Sequence, residues 1–168
     1  MISDKVKEIL NEQINKEFYS SYLYLAMSAH LYHMGLYGIA KWFEIQAGEE
    51  IEHGMQLFDY VIKRKAKINL KQVETPIFEF SSLRDLFEQS YEHERKITNA
   101  FNEIANLTEN ECDRATRKFI DEYLEEQIEE ENIFHMIIKK IKIFGESEAS
   151  LYLLDKELGK RKSTQYRK

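Results

Sequence analysis

Residues 39–60, IAKWFEIQAGEEIEHGMQLFDY, carry an apolar stripe that is interrupted near its middle by an acid and a histidine. The stripe steps by alternating fours and threes, which is the spacing of the inward-facing side of an α-helix. Its members are Ile39, Phe43, Gln46, Glu50, His53, Leu57 and Tyr60. Glu50 and His53 are therefore predicted to face the core of a helical bundle.

Three further stretches repeat this inward stripe, and each is again broken near its middle by polar residues. The stripes are Leu10, Ile14, Glu17, Ser21, Tyr24, Ser28 and Leu31; Leu83, Phe87, Ser90, Glu94, Ile97, Phe101 and Ile104; and Ile120, Tyr123, Gln127, Glu130, Phe134, Ile137 and Ile141. An ionised carboxylate in such a place is costly unless a positive charge pairs with it. The four stripes contain no Lys or Arg, so a metal ion is the simplest missing partner.

Composition sets the broad class. The chain has 168 residues and 43% apolar content, which suits one domain over residues 1–168 with a sizeable core. One proline and six glycines leave room for long helices, and the net charge of −6 argues against a nucleic-acid partner. The single Cys112 excludes a cysteine-rich metal ribbon. We find neither a signal-type N-terminus nor an 18-residue apolar run, so a cytoplasmic protein with no membrane partner is expected.

The pattern predicts an all-α fold. A bundle of four long helices spans residues 3–145, and within it residues 66–82 form a crossover that holds the only proline. Residues 147–158 form a short fifth helix. The basic residues 159–168 are predicted to fray.

Helix starts follow from capping residues. Ser3, Ser82 and Ser147 are predicted N-caps, with Asp85 reaching back to the cap of the third helix, and Thr108 is predicted to open the fourth. Short joints between helices one and two, and between three and four, make antiparallel neighbours. The stretch of 16 residues from 66 to 81 can extend about 50 Å, whereas a 28-residue helix is about 42 Å long. The crossover can therefore span the bundle and leave helices two and three parallel.

The interrupting residues form one predicted metal site at a common level of the bundle. Its members are Glu17, Glu50, His53, Glu94, Gln127 and Glu130. Two divalent cations would neutralise the four carboxylates, and oxygen donors with one imidazole suit iron or manganese, with zinc as a competitor. The alternative is that each acid pairs on its own helix surface, such as Glu94 with Arg95.

A second group of acids lies beside the first. Glu49, Glu126 and Glu129 flank it, and so many neighbouring negative charges repel one another unless a cation is close. The alternative is that these residues form a solvated acidic face. The Tyr24 hydroxyl could hydrogen-bond to a metal ligand or supply an electron, or it could belong to an ordinary core tyrosine. His30 and His33 fit the cationic end of the first helix better than a ligand role.

These residues, on helices of this order, resemble a non-haem bacterial-type ferritin over residues 3–158. The resemblance implies a ferritin-like four-helix bundle with a ferroxidase centre, where Glu17, Glu50 and His53 hold one iron. Glu50 would bridge to a second iron on Glu94 and Glu130, with Gln127 close by. It further implies a third iron site, oxidation of Fe²⁺ by O₂ or H₂O₂, and a 24-subunit shell that stores ferric mineral. The third site would comprise Glu49, Glu126, Glu129 and Glu130.

Departures from related families narrow this interpretation. Glu130 stands where a bacterioferritin would have histidine, and Ile51 stands where its haem-binding methionine would be, so no haem is expected. Two other functions stay open: a di-iron or manganese–iron oxidase or peroxidase that stores nothing, and a helical scaffold without metal. DNA binding through the basic tail is a third, weaker alternative, since a solubilising end explains that tail.

Overall fold

The computed structural model describes residues 2–76 and 79–162, which form five α-helices and no β-strand. The helices are α1 (Asp4–His33), α2 (Tyr37–Lys63), α3 (Leu83–Asn110), α4 (Arg114–Phe144) and α5 (Glu148–Leu158). The predicted all-α fold class, four long helices with a crossover and a short fifth helix, is confirmed. Two residues of the predicted crossover (77 and 78) and residues 163–168 of the predicted tail lie outside the described residues. None of the described helices is long and apolar enough to cross a membrane.

The pairing of α1 with α2 is antiparallel and close. The Ser21 hydroxyl donates to the carbonyl of Ala47 at 2.7 Å, and the Ser28 hydroxyl donates to the carbonyl of Ala40 at 2.8 Å. As the residue number of the donor rises along α1, the residue number of its acceptor falls along α2, so the two helices run in opposite directions. Small side chains on both helices let the backbones approach closely enough for these bonds.

Helix α1 also runs antiparallel to α3. Ser20 hydrogen-bonds to His93 at 2.7 Å between Oγ and Nε2, and further along α1 the Ser90 hydroxyl lies 3.5 Å from the sulfur of Met27. Since α1 opposes both neighbours, α2 and α3 are parallel, as the long crossover requires.

Two asparagines of α1 hold the first part of the crossover. Asn11 donates to the carbonyl of Lys67 at 3.1 Å and accepts from the backbone N–H of Asn69 at 2.6 Å. Asn15 accepts from the N–H of Lys71 at 2.8 Å. These bonds satisfy backbone groups that an irregular segment would otherwise leave unpaired.

The predicted serine caps are present. Ser3, Ser82 and Ser147 each accept a backbone N–H from three residues further on, at 3.1 to 3.3 Å. Asp85 reaches back as expected, but its carboxylate accepts the N–H of Ser81 at 2.8 Å rather than that of the cap residue.

The predicted start of the fourth helix at Thr108 is wrong. Thr108 is buried inside α3 and its hydroxyl donates to the carbonyl of Ala105. The chain turns instead at Cys112, which adopts a left-handed φ of 56°, and Asp113 caps α4 by accepting the N–H of Thr116 at 3.1 Å. Asp113 also pairs with Arg64 at the end of α2, a contact that its place in the sequence did not reveal.

The expected fraying of the tail does not hold at Arg161. Its guanidinium donates to the carboxylate of Glu49 and, at 2.8 Å, to Oε1 of Gln46. It also lies 4.5 Å above the ring of Trp42. Three contacts to α2 thus fix the chain just beyond α5.

Two glycines of α2 form a matched pair for testing the packing of α5. A Cβ added at Gly38 would lie 1.9 Å from the carbonyl oxygen of Asp155 in α5, whereas one at Gly48 would meet no atom of the described residues within 4 Å. We expect Gly38→Ala to push α5 away and to lower the free energy of unfolding by roughly 1–3 kcal/mol. We expect Gly48→Ala to raise it by roughly 0.5–1 kcal/mol, as alanine favours a helix. Chemical denaturation measures both free energies of unfolding, and hydrogen exchange of the α5 amides reports whether α5 has moved. Equal effects of the two substitutions would contradict this packing.

Candidate metal centre

The core has a polar level between two apolar clusters. One cluster lies around Phe43, Phe87 and Phe134, and the other lies around Ile14 and Phe101. The polar level between them is almost closed to solvent, with relative exposures of 0% for Glu17, 2% for Glu50, 6% for His53, 1% for Glu94 and 3% for Gln127. Each residue comes from near the middle of a long helix, so the predicted inward stripes place them at one height.

Glu17, Glu50 and His53 form the tightest part of this level. One ligand atom from each lies within 4.8 Å of the other two, and His53 Nδ1 is 3.4 Å from a Glu50 oxygen. Gln13 donates to Oε1 of Glu17 at 2.5 Å, while the other oxygen, Oε2, is buried and has no hydrogen-bond partner among the residues that the structure describes. A cation bound among these three residues would satisfy that oxygen.

Glu94 lies across the bundle from this group, held by two donors. The Tyr24 hydroxyl donates to one carboxylate oxygen through a short hydrogen bond, and Gln127 donates to the other at 3.0 Å. The Gln127 amide thus presents its N–H group to Glu94. Of the roles considered for Tyr24, a hydrogen bond to a predicted ligand is the one this geometry contains.

Gln46 joins the two halves of the level. Its Nε2 donates to Glu50 and to Glu130, both at 3.0 Å. Gln46 and Gln13 were not predicted as part of the site. Gln46 lies on the inward stripe of α2, so its position carried a signal; Gln13 lies outside the stripe of α1, and only its place one turn before Glu17 could have indicated it.

The additional acids lie to one side of this buried level. Glu126 approaches His53 with 3.2 Å between its oxygen and Nε2, and Glu49 pairs with Arg161. Glu129 is exposed. Together with Glu130 they line a cavity of about 510 Å³, which we term the acidic pocket; its walls are Glu49, His53, Glu126, Glu129, Glu130, Ile133, Arg161 and Lys162.

Burial sets the protonation of the carboxyl groups. Desolvation, followed by the charge of Glu50, raises the pKa of both Glu17 and Glu94 well above the ordinary value. The same two causes raise the pKa of Glu130 to about 7. The level therefore retains protons when no cation is bound.

His53 supplies a positive charge within the polar level, where Lys and Arg are lacking. Burial lowers its pKa, but hydrogen bonds to Glu126 and Glu50 outweigh that effect and raise it to about 12. Burial likewise raises the pKa of Glu50, but the hydrogen bond from His53 reverses this and leaves it below the ordinary value. The imidazolium is thus a stand-in for a metal ion, and a metal binding at His53 has to expel its proton.

Proton release on metal binding should depend on pH. At pH 6 a cation displaces a proton from Glu130 as well as the protons held by His53 and the buried carboxyl groups. At pH 8.5 Glu130, with a pKa of about 7, has already lost its proton. The number of protons released per chain should therefore be lower at pH 8.5 than at pH 6, and Glu130 alone lowers it by about one. Titration calorimetry with Mn²⁺ in buffers of different ionisation enthalpy measures this number.

Glu130→Gln is the control for that measurement. The variant should show a smaller fall in proton release between pH 6 and 8.5, because it lacks this titrating carboxyl group. An unchanged fall would mean that Glu130 does not carry the raised pKa.

Comparison with known proteins agrees with this geometry. The model of the ferritin family, described as a ferritin-like domain, matches residues 7–144. A probable bacterial non-heme ferritin-like protein of Haemophilus influenzae is 41% identical over 159 residues, 95% of this chain and 96% of that protein. The bacterial non-heme ferritin of Campylobacter jejuni is 40% identical over 92% of this chain and 93% of its own length.

Solved structures show the same likeness. The open-pore ferritin of the archaeon Archaeoglobus fulgidus is 41% identical and superposes with a TM-score of 0.94, covering 96% of this chain and all of that chain. The resemblance drawn from the inward stripes is thereby confirmed. With a family match over most of its length and relatives at 40–41% identity, the chain belongs to the ferritin family.

Proposed function

We propose that this chain oxidises Fe²⁺ at the buried polar level and stores the ferric product as mineral inside a shell of 24 copies. Membership of the ferritin family supports iron storage as the general role. The observation that carries the proposal further is the group of Glu17, Glu50 and His53, in which one buried Glu17 oxygen has no hydrogen-bond partner within residues 2–76 and 79–162. Iron is here the substrate and the cargo, bound as ions without haem, and the expected location is the cytoplasm.

We infer two iron positions, and the placement of the carboxylates supports them. Glu17, Glu50 and His53 would hold one Fe²⁺, and Glu94 with Glu130 would hold the second. Glu50 is suited to bridge them, because it contacts His53 on one side and shares Gln46 with Glu130 on the other. Two oxygen-rich positions with one imidazole fit the ligand preferences of ferrous iron.

The electron balance explains why two irons are held together. Each Fe²⁺ gives one electron, and O₂ with two electrons and two protons becomes H₂O₂; alternatively H₂O₂ with two electrons and two protons becomes two waters. The protein contributes by holding both electron donors within reach of one oxidant. Tyr24 and Gln127 would keep Glu94 oriented, and electron donation by Tyr24 stays a prediction.

Oxidised iron would leave through the acidic pocket. Glu49, Glu126 and Glu129 line it together with His53 and Glu130 of the buried level, so the two regions share a wall. A third iron position among these acids and Glu130 is supported by that continuity and by the resemblance.

Assembly is supported by apolar side chains that one chain leaves exposed. Tyr22, Leu25 and Tyr37 lie on α1 and α2, Phe144 ends α4 and Leu153 lies in the middle of α5, each 49–70% exposed. Contacts between copies would cover them.

An aerobic titration of metal-free protein with Fe²⁺ tests storage. If hundreds of ions per chain stay in solution as ferric mineral, the storage proposal stands. If uptake stops near two or three and the excess precipitates, the chain is an oxidase that stores nothing.

His53→Ala tests the site itself. Loss of the imidazole should slow the initial oxidation of Fe²⁺ by roughly 10- to 100-fold or more, because one iron position loses a ligand. Stopped-flow absorbance of the ferric product measures the rate. His33→Ala, at the exposed end of α1, is the matched control and should oxidise iron at the unaltered rate. Rapid oxidation in His53→Ala would remove His53 from the ligand set.

A further inference from the structure

The C-terminal segment places a permanent cation against the acidic pocket. Arg161 donates to the carboxylate of Glu49, and the two side chains are only 17% and 12% exposed. Its Nη1 donates to Gln46, and its Cζ lies 4.5 Å from the centroid of the Trp42 ring. An arginine stays charged at all physiological pH values, so Glu49 is paired with a cation that belongs to the chain.

A metal ion and Arg161 need the same carboxylate. Glu49 is one of four acids that line the acidic pocket, and a metal ligand must turn its oxygens to the ion. The Oε2 atom of Glu49 cannot do so while it accepts the hydrogen bond from Nη2 of Arg161. Because Arg161 is tethered, its effective concentration at Glu49 is high, and the apparent affinity of an ion falls with the fraction of time that Arg161 is docked.

The same arginine orients the amide that joins the two halves of the buried level. Gln46 accepts from Arg161 through Oε1, and this leaves its Nε2 to donate to Glu50 and Glu130. Departure of Arg161 would free the amide to turn. Docking of the C-terminal segment is thereby coupled, through one side chain, to the carboxylates of both proposed iron positions.

We propose that Arg161 is a built-in competitor that keeps metal ions out of the acidic pocket until the buried level is filled, and that an ion entering the pocket displaces it. This inference rests on the proposed function, since it concerns the order in which that site fills. The docked guanidinium weakens binding of the third ion directly, whereas it reaches the first two positions only through Gln46 and changes their affinity much less. Displacement turns the segment beyond α5 away from Trp42.

Zinc titration of the metal-free protein tests the competition, with Zn²⁺ as a cation that undergoes no redox change. The wild type should bind two ions per chain tightly and a third more weakly. Arg161→Gln should bind the third ion at least about tenfold more tightly, which is about 1.4 kcal/mol. Lys160→Gln removes the same charge one residue earlier, at an exposed position, and should behave as the wild type.

Trp42 provides a second readout, because it is the only tryptophan of the chain. Its fluorescence should change when the third Zn²⁺ displaces Arg161 in the wild type. In Arg161→Gln the emission should already differ before metal is added and should stay constant over the third equivalent. Arg161→Lys retains the charge without the planar guanidinium and should give an intermediate affinity for the third Zn²⁺. This variant also shows whether the effect of Arg161→Gln comes from a folding defect.

The outcomes separate this inference from the proposed function. Equal affinity for the third ion in all four proteins, with the first two ions bound tightly, would overturn the role of Arg161 and leave the iron site standing. Failure of the wild type to bind the first two ions would overturn both.

Discussion

The costly burial of three carboxylates, with a fourth half-buried beside them, at one level of a helical bundle is the constraint on which the rest of this structure depends. Glu17, Glu50 and Glu94 are buried at that level, Glu130 is half-buried at its edge, and His53 is the cation within it. Apolar residues of similar volume would often make such a core as stable or more stable. The polar level therefore has little value for folding alone. Its retained protons, and the one Glu17 oxygen to which no described residue hydrogen-bonds, are what a cation-binding site would show.

Amide side chains supply hydrogen bonds to the carboxyl groups at this level. Gln13, Gln46 and Gln127 each donate to a buried carboxyl group, so Glu17, Glu50 and Glu94 are each hydrogen-bonded by an uncharged side chain. Neutral donors hold the oxygens in place without filling the site, which preserves room for an ion. The aromatic rings of Tyr24, Phe43 and Phe134 pack against one another beside this level, and such close packing keeps ligand positions from relaxing.

The acidic pocket shows how a chain end can become part of a site. Arg161 lies beyond α5, which itself packs on the start of α2 at Gly38. The absence of a side chain at Gly38 allows the backbone of α5 to come close, and this close approach brings the guanidinium to Glu49 and Trp42. A basic tail that looks like a solubilising segment is thus, at Arg161, a partner of the acids nearest to the buried level.

The sequence by itself determined which residues face inward, because helical periodicity is a property of each helix alone. It therefore predicted the four long helices, the crossover, the serine caps and the polar residues of the buried level. The tertiary structure decided how those residues pair. The contact of His53 with Glu126, the bridge through Gln46, the cap of α4 at Asp113 and the docking of Arg161 all depend on the axial position of one helix against another. That position results from packing between segments far apart in the chain, which no periodicity within one helix encodes.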